Sequence, residues 1–209
     1  MEEYFIPTGD SETEFVEKHS RFIGRIFLTE TEEEALAALE KIRKQHWDAK
    51  HNVYAYIIHG GATRFSDDGE PGGTAGMPVL EVLRREGLEN VLCVVTRYFG
   101  GILLGAGGLV RAYAKSAKLA VDAAGTSVKR VWQAINIPCP YNLFERVRQE
   151  VSNFDGLVTD TEYGADVLLR TVLPEQQAEP FLRRLTDLSA GSLRPELGDQ
   201  EYRAVPVQK

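Results

Sequence analysis

The stretch FSDDGEPGGTAGMPVL, residues 65–80, sets Asp67, Asp68 and Glu70 among Gly69, Gly72, Gly73 and Gly76, directly ahead of an apolar run. Clustered carboxylates could hold a hard divalent cation such as magnesium, with His51 or His59 as a further ligand. The spacing matches neither a calcium loop nor a zinc-binding helix, so no metal is expected. The competing reading is architectural. Asp67-Asp68-Gly69 is good turn chemistry, and acids near a helix start complement its dipole. Thr74 can serve as N-cap, with Pro78 tolerated in the first turn. His51 just precedes a strand and is expected to be exposed, whereas His59 alternates with Ile57 and is expected on the core side.

A second glycine-rich stretch, TRYFGGILLGAGGLVRAYAKSAK, carries a different chemistry. Glycines leading into a helix leave its first N–H groups and positive dipole end free for an anion. Gly100 and Gly105 have P-loop spacing, but Ala106 follows where that loop needs Lys, and G-x-G-x-x-G is absent. A nucleotide site of either kind is therefore not expected, nor is any cofactor. Arg111, Lys115 and Lys118 are spaced by four and three, which sets them on one helix face, while Val110, Ala114, Ala117 and Val121 are expected to be core. Arg97, Arg111, Lys115, Lys118, Lys129 and Arg130 face Asp122 as the sole acid of that stretch. Tyr98 and Phe99 follow Arg97, and one of them should be exposed beside it, as a base-stacking surface requires.

The elements that must position these residues follow from periodicity. Residues 14–29 read as a strand or hairpin with Phe22, Gly24 and Ile26 on one face. Thr31-Glu-Glu-Glu34 is a capping box, and Ala35, Leu39, Ile42 and His46 recur at helical spacing behind it. VYAYIIHG and ATRFS form strands joined through Gly60-Gly61. A helix of about ten residues runs through Glu86 and stops at Gly87. Val91–Thr96 has no polar face and suits an interior strand, and a long helix spans Gly107–Ala124. From residue 128 on, strand, helix, hairpin, helix and strand give the β-α-β-β-α-β order of a ferredoxin-like sandwich. Two domains are expected, residues 1–127 and 128–209.

Composition narrows the function classes. A chain of 209 residues with 43% hydrophobic content can build real cores. Its net charge of −7 argues against non-specific coating of nucleic acid, though a local basic patch survives that argument. Cys93 and Cys139 form no CxxC and read as buried thiols of a reducing compartment. The acidic N-terminus has no secretion-signal pattern and no apolar run suits a membrane helix, so a cytoplasmic protein without membrane contact is expected.

These residues also carry a resemblance. Asp67, Gly69, Glu70, Pro71, Gly73, Thr74, Ala75 and Gly76 match the block D-x-G-E-P-x-G-T-A-G. Val79-Leu80, Leu83, Leu88, Val94-Val95, Arg97-Tyr98-Phe99-Gly100-Gly101, Leu104 and Gly105 continue it, and together they resemble the signature of the YigZ/IMPACT family. The resemblance implies an α+β chain whose N-terminal domain is similar to domain 2 of ribosomal protein S5 and to domain IV of elongation factor G. It implies a C-terminal domain similar to that factor's domain V. The family's eukaryotic members modulate translation through an additional N-terminal domain, so their mechanism is not carried over.

The function expected is a non-catalytic binding protein associated with translation, contacting RNA, the ribosome or a protein partner. Arg97, Tyr98, Phe99, Arg111, Lys115 and Lys118 are the candidate nucleic-acid or anion-binding residues. The alternative is a small-molecule hydrolase or phosphotransferase acting on an anionic substrate. Its groove would be lined by Asp67, Glu70, Gly73, Thr74 and Gly76 on one side and Gly100, Gly101 and Gly105 on the other. No residue is assigned a catalytic role.

Overall fold

The computed structural model of the protein describes residues 3–207. The elements are β1 (Tyr4–Pro7), β2 (Ser11–Glu17), β3 (Ser20–Leu28), α1 (Glu32–Gln45), β4 (His51–Ile57), β5 (Thr63–Ser66), α2 (Gly76–Arg85), β6 (Val91–Tyr98) and α3 (Ala106–Ala124). β7 (Thr126–Cys139), α4 (Tyr141–Asn153), β8 (Leu157–Tyr163), β9 (Val167–Pro174), α5 (Glu175–Ser189) and β10 (Glu196–Pro206) follow. The chain is α+β and divides into two compact units. One comprises Tyr4–Lys129 with residues 204–207, and the other Arg130–Arg203 with Glu3.

In the first unit the sheet order is β2-β3-β6-β4-β5, with β6 central and antiparallel to both neighbours. Successive strand residues point to opposite faces. Val91, Cys93 and Val95 therefore pack with α2 and α3, while Leu92 and Val94 pack with Ala35, Leu39 and Ile42 of α1. Both faces are covered, which is why this strand reads as an unbroken apolar run. Each fully buried aliphatic side chain contributes about 1.5–3 kcal/mol. Burial also pushes the Cys93 thiol up to about 12, so it stays protonated and serves as a small hydrophobe. The same alternation continues past the apolar residues. Arg97 falls on the α2/α3 face and Tyr98 on the α1 face.

The Thr31 cap of α1 forms as expected, its hydroxyl accepting from Glu34 N at 3.1 Å, while the Glu34 carboxylate reaches back one residue past the cap to Glu30 N at 2.8 Å. The long helix α3 differs in rotation. Val110, expected in the core, is 38% exposed, and the buried face runs through Leu109, Ala112, Tyr113, Ser116, Ala117, Ala120 and Val121. The reason is close approach. A Cβ at Gly24 of β3 would lie 2.6 Å from the Ser116 carbonyl oxygen, so only a helix face of small residues fits there. β1 was not expected at all. Its four residues pair with Thr126–Lys129, a partner far away in sequence.

In the second unit the strand order is β10-β7-β9-β8, that of a ferredoxin-like sandwich. Ile135, Ile137, Leu169 and Leu173 pack with Val147 and Val151 of α4 and with Phe181 and Leu185 of α5. No helix among the described residues is long and apolar enough to cross a membrane.

Candidate functional site

Both glycine-rich stretches belong to the first unit, and they meet. Residues 69–71 and 103–106 line one groove of about 370 Å³, together with Lys50, His51, Arg97, Phe99 and Leu109.

The floor is a buried polar cluster. Arg97 Nη1 donates to Glu70 Oε1 at 2.6 Å, and Tyr113 donates its hydroxyl proton to the same oxygen at 2.7 Å. Glu70 and Arg97 are only 9% and 5% exposed. Burial, and then the Glu70 carboxylate, push the Tyr113 hydroxyl far above its ordinary range, so it remains a donor. Arg97 Nη2 reaches Ser20 Oγ at 3.3 Å, while its Nε has no partner among the described residues. The guanidinium carbon lies 5.5 Å from the ring centres of both Phe22 and Phe99. A planar delocalised cation suits that position, where a lysine ammonium would forgo the second hydrogen bond and the stacking on both rings.

His51 Nδ1 lies 2.7 Å from the Asp68 carbonyl oxygen. A carbonyl only accepts, so Nδ1 carries the proton and Nε2 faces Glu70, 3.8 Å from its Oε1. The histidine expectations are thus reversed. His51 is 7% exposed, whereas the side chain of His59 is 42% exposed, held by Glu89 at 2.6 Å and stacked on Tyr4. β4 begins at His51, two residues before the apolar run, so His51 belongs to the strand and faces inward.

The two aspartates of the first turn are taken up by backbone amides. Asp67 accepts from the amides of Gly73, Ala75 and Gly76 at 2.9, 3.0 and 2.8 Å. Asp68 accepts from Asn52 N at 2.6 Å. The cap of α2 is therefore Asp67, nine residues before the helix. Thr74, expected in that role, instead donates its hydroxyl to the Pro71 carbonyl. Gly76 is obligatory for another reason, since a Cβ there would lie 2.7 Å from the Ser66 backbone.

The second turn has no such filling. Gly105, at φ 73°, caps α3 without a side-chain hydrogen bond. The amides of Ala106, Gly107 and Gly108 precede the first helical bond, from Leu109 N to the Gly105 carbonyl. A Cβ at Gly101 or Gly105 would meet nothing within 4 Å, whereas one at Gly100 would sit 2.0 Å from the His19 carbonyl carbon. Gly100 thus packs on the β2–β3 turn, where Lys18 and His19 both take positive φ.

The two aromatics separate as alternation requires. Phe99 is 41% exposed at the groove, with Lys50 Nζ 5.4 Å from its ring centre. Tyr98 is engaged on the other face. Arg25 donates to His46 Nε2 at 2.7 Å, His46 Nδ1 donates to the Tyr98 oxygen at 2.9 Å, and Tyr98 donates to Asp48 at 3.1 Å. That chain was not legible in the sequence, which spreads it over β3, β6 and the connection after α1.

The basic helix divides too. Arg111 and Lys115 are exposed and line, with Lys18 and Phe15, a second depression that shares Leu104 with the groove. Lys118 is held by Glu86 at 2.9 Å and Asp122 at 2.7 Å. Its hydrogen bonds to those acids raise its pKa.

Fold and site together define a two-unit α+β protein whose first unit carries an open groove above a buried Glu–Arg pair. Residues 18–121 match the family described as Impact N-terminal domain, and residues 137–192 match a domain of unknown function (DUF1949). Over 204 residues the chain is 36% identical to the IMPACT family member YvyE of Bacillus subtilis, covering 97% of this chain and 94% of that protein. Over 200 residues it is 38% identical to the IMPACT family member YigZ of Escherichia coli, covering 93% and 97%. A solved structure titled "Crystal structure of an hypothetical protein" is 37% identical and superposes with a TM-score of 0.60, covering 93% of this chain and 97% of that one. The chain belongs to the IMPACT family.

Proposed function

We infer that the protein acts without catalysis in translation, contacting single-stranded RNA on the ribosome or free, through the surface around the start of α3. One observation carries this reading. Lys18, Lys50, Arg111 and Lys115 are all exposed and form no ion pair among the described residues; Lys50 lines the groove with Phe99 and Leu103, and the other three line the adjoining depression with Phe15 and Glu17, in a chain of net charge −7. Unpaired cations beside exposed aromatics suit a phosphate backbone with bases stacked against it. The translational setting is supported by membership of a family whose eukaryotic members modulate translation. Two free buried cysteines suit the reducing cytoplasm. Lys118 and Tyr98 are left out of the surface, because their polar ends already have protein partners.

Fluorescence anisotropy of a labelled 5′-hydroxyl RNA, titrated across potassium chloride concentrations, tests this. The double variant Arg111→Glu/Lys115→Glu is expected to bind more weakly. Its log–log salt slope should be shallower by roughly 0.7 for each phosphate that the variant no longer neutralises. Equal binding by the variant at every salt concentration removes this surface from consideration.

A further inference from the structure

The groove between the two glycine-rich turns has features that a basic RNA-binding surface does not require. Its wall contains the start of a 19-residue helix, reached through Gly105 with no side-chain cap. The backbone is open at Gly107, where the nearest atom to a Cβ would be Arg111 Nη1, at 3.5 Å, whereas a Cβ at Gly108 would lie 3.0 Å from the Leu104 side chain. Independently, Arg97 lines the same groove at 5% exposure with its Nε unpartnered among the described residues. A buried guanidinium N–H without an acceptor costs free energy unless a ligand supplies one. Nε and Nη2 lie on one edge of the guanidinium and form a fork for paired oxygens, and Nη2 has only Ser20 Oγ, at 3.3 Å. Lys50 and Phe99 complete the rim. Glu70 is the one carboxylate lining the groove, and its Oε1 already accepts from Arg97 and Tyr113.

We propose that this groove binds a phosphate monoester. The phosphate oxygens accept from the amides of Ala106, Gly107 and Gly108 and from Arg97, with Lys50 supplying further positive charge. The esterified group lies over Phe99 and the exposed side chain of Leu103. Dipole, bare amides and a planar fork favour a multi-oxygen dianion over a monocarboxylate, which offers too few acceptors. The same chemistry is present on a free nucleotide and on the 5′ end of an RNA strand.

The full chain is titrated with inorganic phosphate, adenosine 5′-monophosphate, adenosine, and an RNA hexamer bearing either a 5′-phosphate or a 5′-hydroxyl. Heats of binding and the amide NMR shifts of residues 106–108 are followed. Phosphate and the monophosphate should shift those amides and adenosine should not. If only the 5′-phosphorylated hexamer does so, the monoester is a strand terminus. Gly107→Glu places a carboxylate in the first turn, where it stabilises the helix and competes with the ligand. It is expected to keep the parent melting temperature or raise it, and to weaken binding roughly tenfold or more. Arg97→Lys should weaken it as well if it folds. Unmoved amides with every phosphate-bearing probe, or unchanged affinity in Gly107→Glu, overturn the proposal. Binding of the 5′-hydroxyl RNA and its loss in Arg111→Glu/Lys115→Glu test the RNA-contact reading, whereas the amide shifts with inorganic phosphate test this inference, so the two fail separately.

Discussion

The two glycine-rich turns are alike in composition and opposite in state. Each leads into a helix that packs on the same sheet. At the first, the Asp67 carboxylate takes three backbone amides around the start of α2, so the positive end of that helix is neutralised from within. At the second, α3 begins at Gly105 with no side-chain cap. The turn rich in acids is therefore the structural one, and the turn without acids is the one open to a ligand. Glu70 joins the two. It leaves the first turn to accept from Arg97, which stands at the threshold of the second. Carboxylates that suggest a metal in isolation are here spent on backbone amides, the Tyr113 hydroxyl and the guanidiniums of Arg43 and Arg97.

The largest expected effect is on that junction. Arg97→Met leaves Glu70 buried without its cation, which costs about 3–5 kcal/mol. Adding Glu70→Gln should recover much of this in the double variant, measured by urea unfolding. If the two losses simply add, the pair does not couple the turns. Gly100→Ala comes next. Its Cβ would lie 2.0 Å from the His19 backbone, so a loss on the order of 3 kcal/mol is expected, visible as a fall in the melting temperature. Gly105→Ala meets no neighbour and is strained only by its positive φ. The contrast separates packing from conformation.

Asp67→Ala should cost about 2 kcal/mol, because three amides lose their acceptor. Added phosphate or sulfate should restore part of that stability if the carboxylate acts as a built-in anion, and stability indifferent to both ions would deny it. A smaller effect lies on the opposite face of β6. Burial, and then the Arg25 cation, lower the pKa of His46 below its ordinary 6.5, against the opposing influence of Glu12 and Asp48. The unfolded chain binds that proton more readily, so the contribution is present above pH 6.5 and lost as pH falls through the folded value. Between pH 7 and 5 the parent should lose more thermal stability than His46→Gln. Smallest of all is Lys118→Ala. It breaks two exposed ion pairs, for about 0.5 kcal/mol, and should leave RNA binding unchanged.

Much of the scaffold was legible because periodicity reports burial directly. The Thr31 cap of α1, the interior character of β6 and the strand–helix order of the second unit each follow from spacing within one element. The exceptions have a common cause. β1 is held by pairing with Thr126–Lys129 and by a bridge from Phe5 to Leu88, both distant in sequence, and the face of α3 is rotated by the need to meet Gly24 closely. The cap of α2 comes from Asp67 rather than the adjacent Thr74. His51 and His59 exchange their expected environments because β4 spans His51–Ile57, starting two residues before the apolar run at Val53 and ending before His59.

The sequence by itself determined the family, the α+β class and the membership of Arg97, Phe99, Glu70 and the glycines in one short signature. It also determined that Tyr98 and Phe99 must part, since alternation along a strand is local geometry. Only the tertiary structure decided which charges are free. Arg97 and Lys118 are as cationic in sequence as Arg111 and Lys115, yet two have acids within 3 Å and two do not. Side chains distant in sequence meet through strand pairing and helix packing. Whether a charge is neutralised or offered to a ligand is settled only by that meeting.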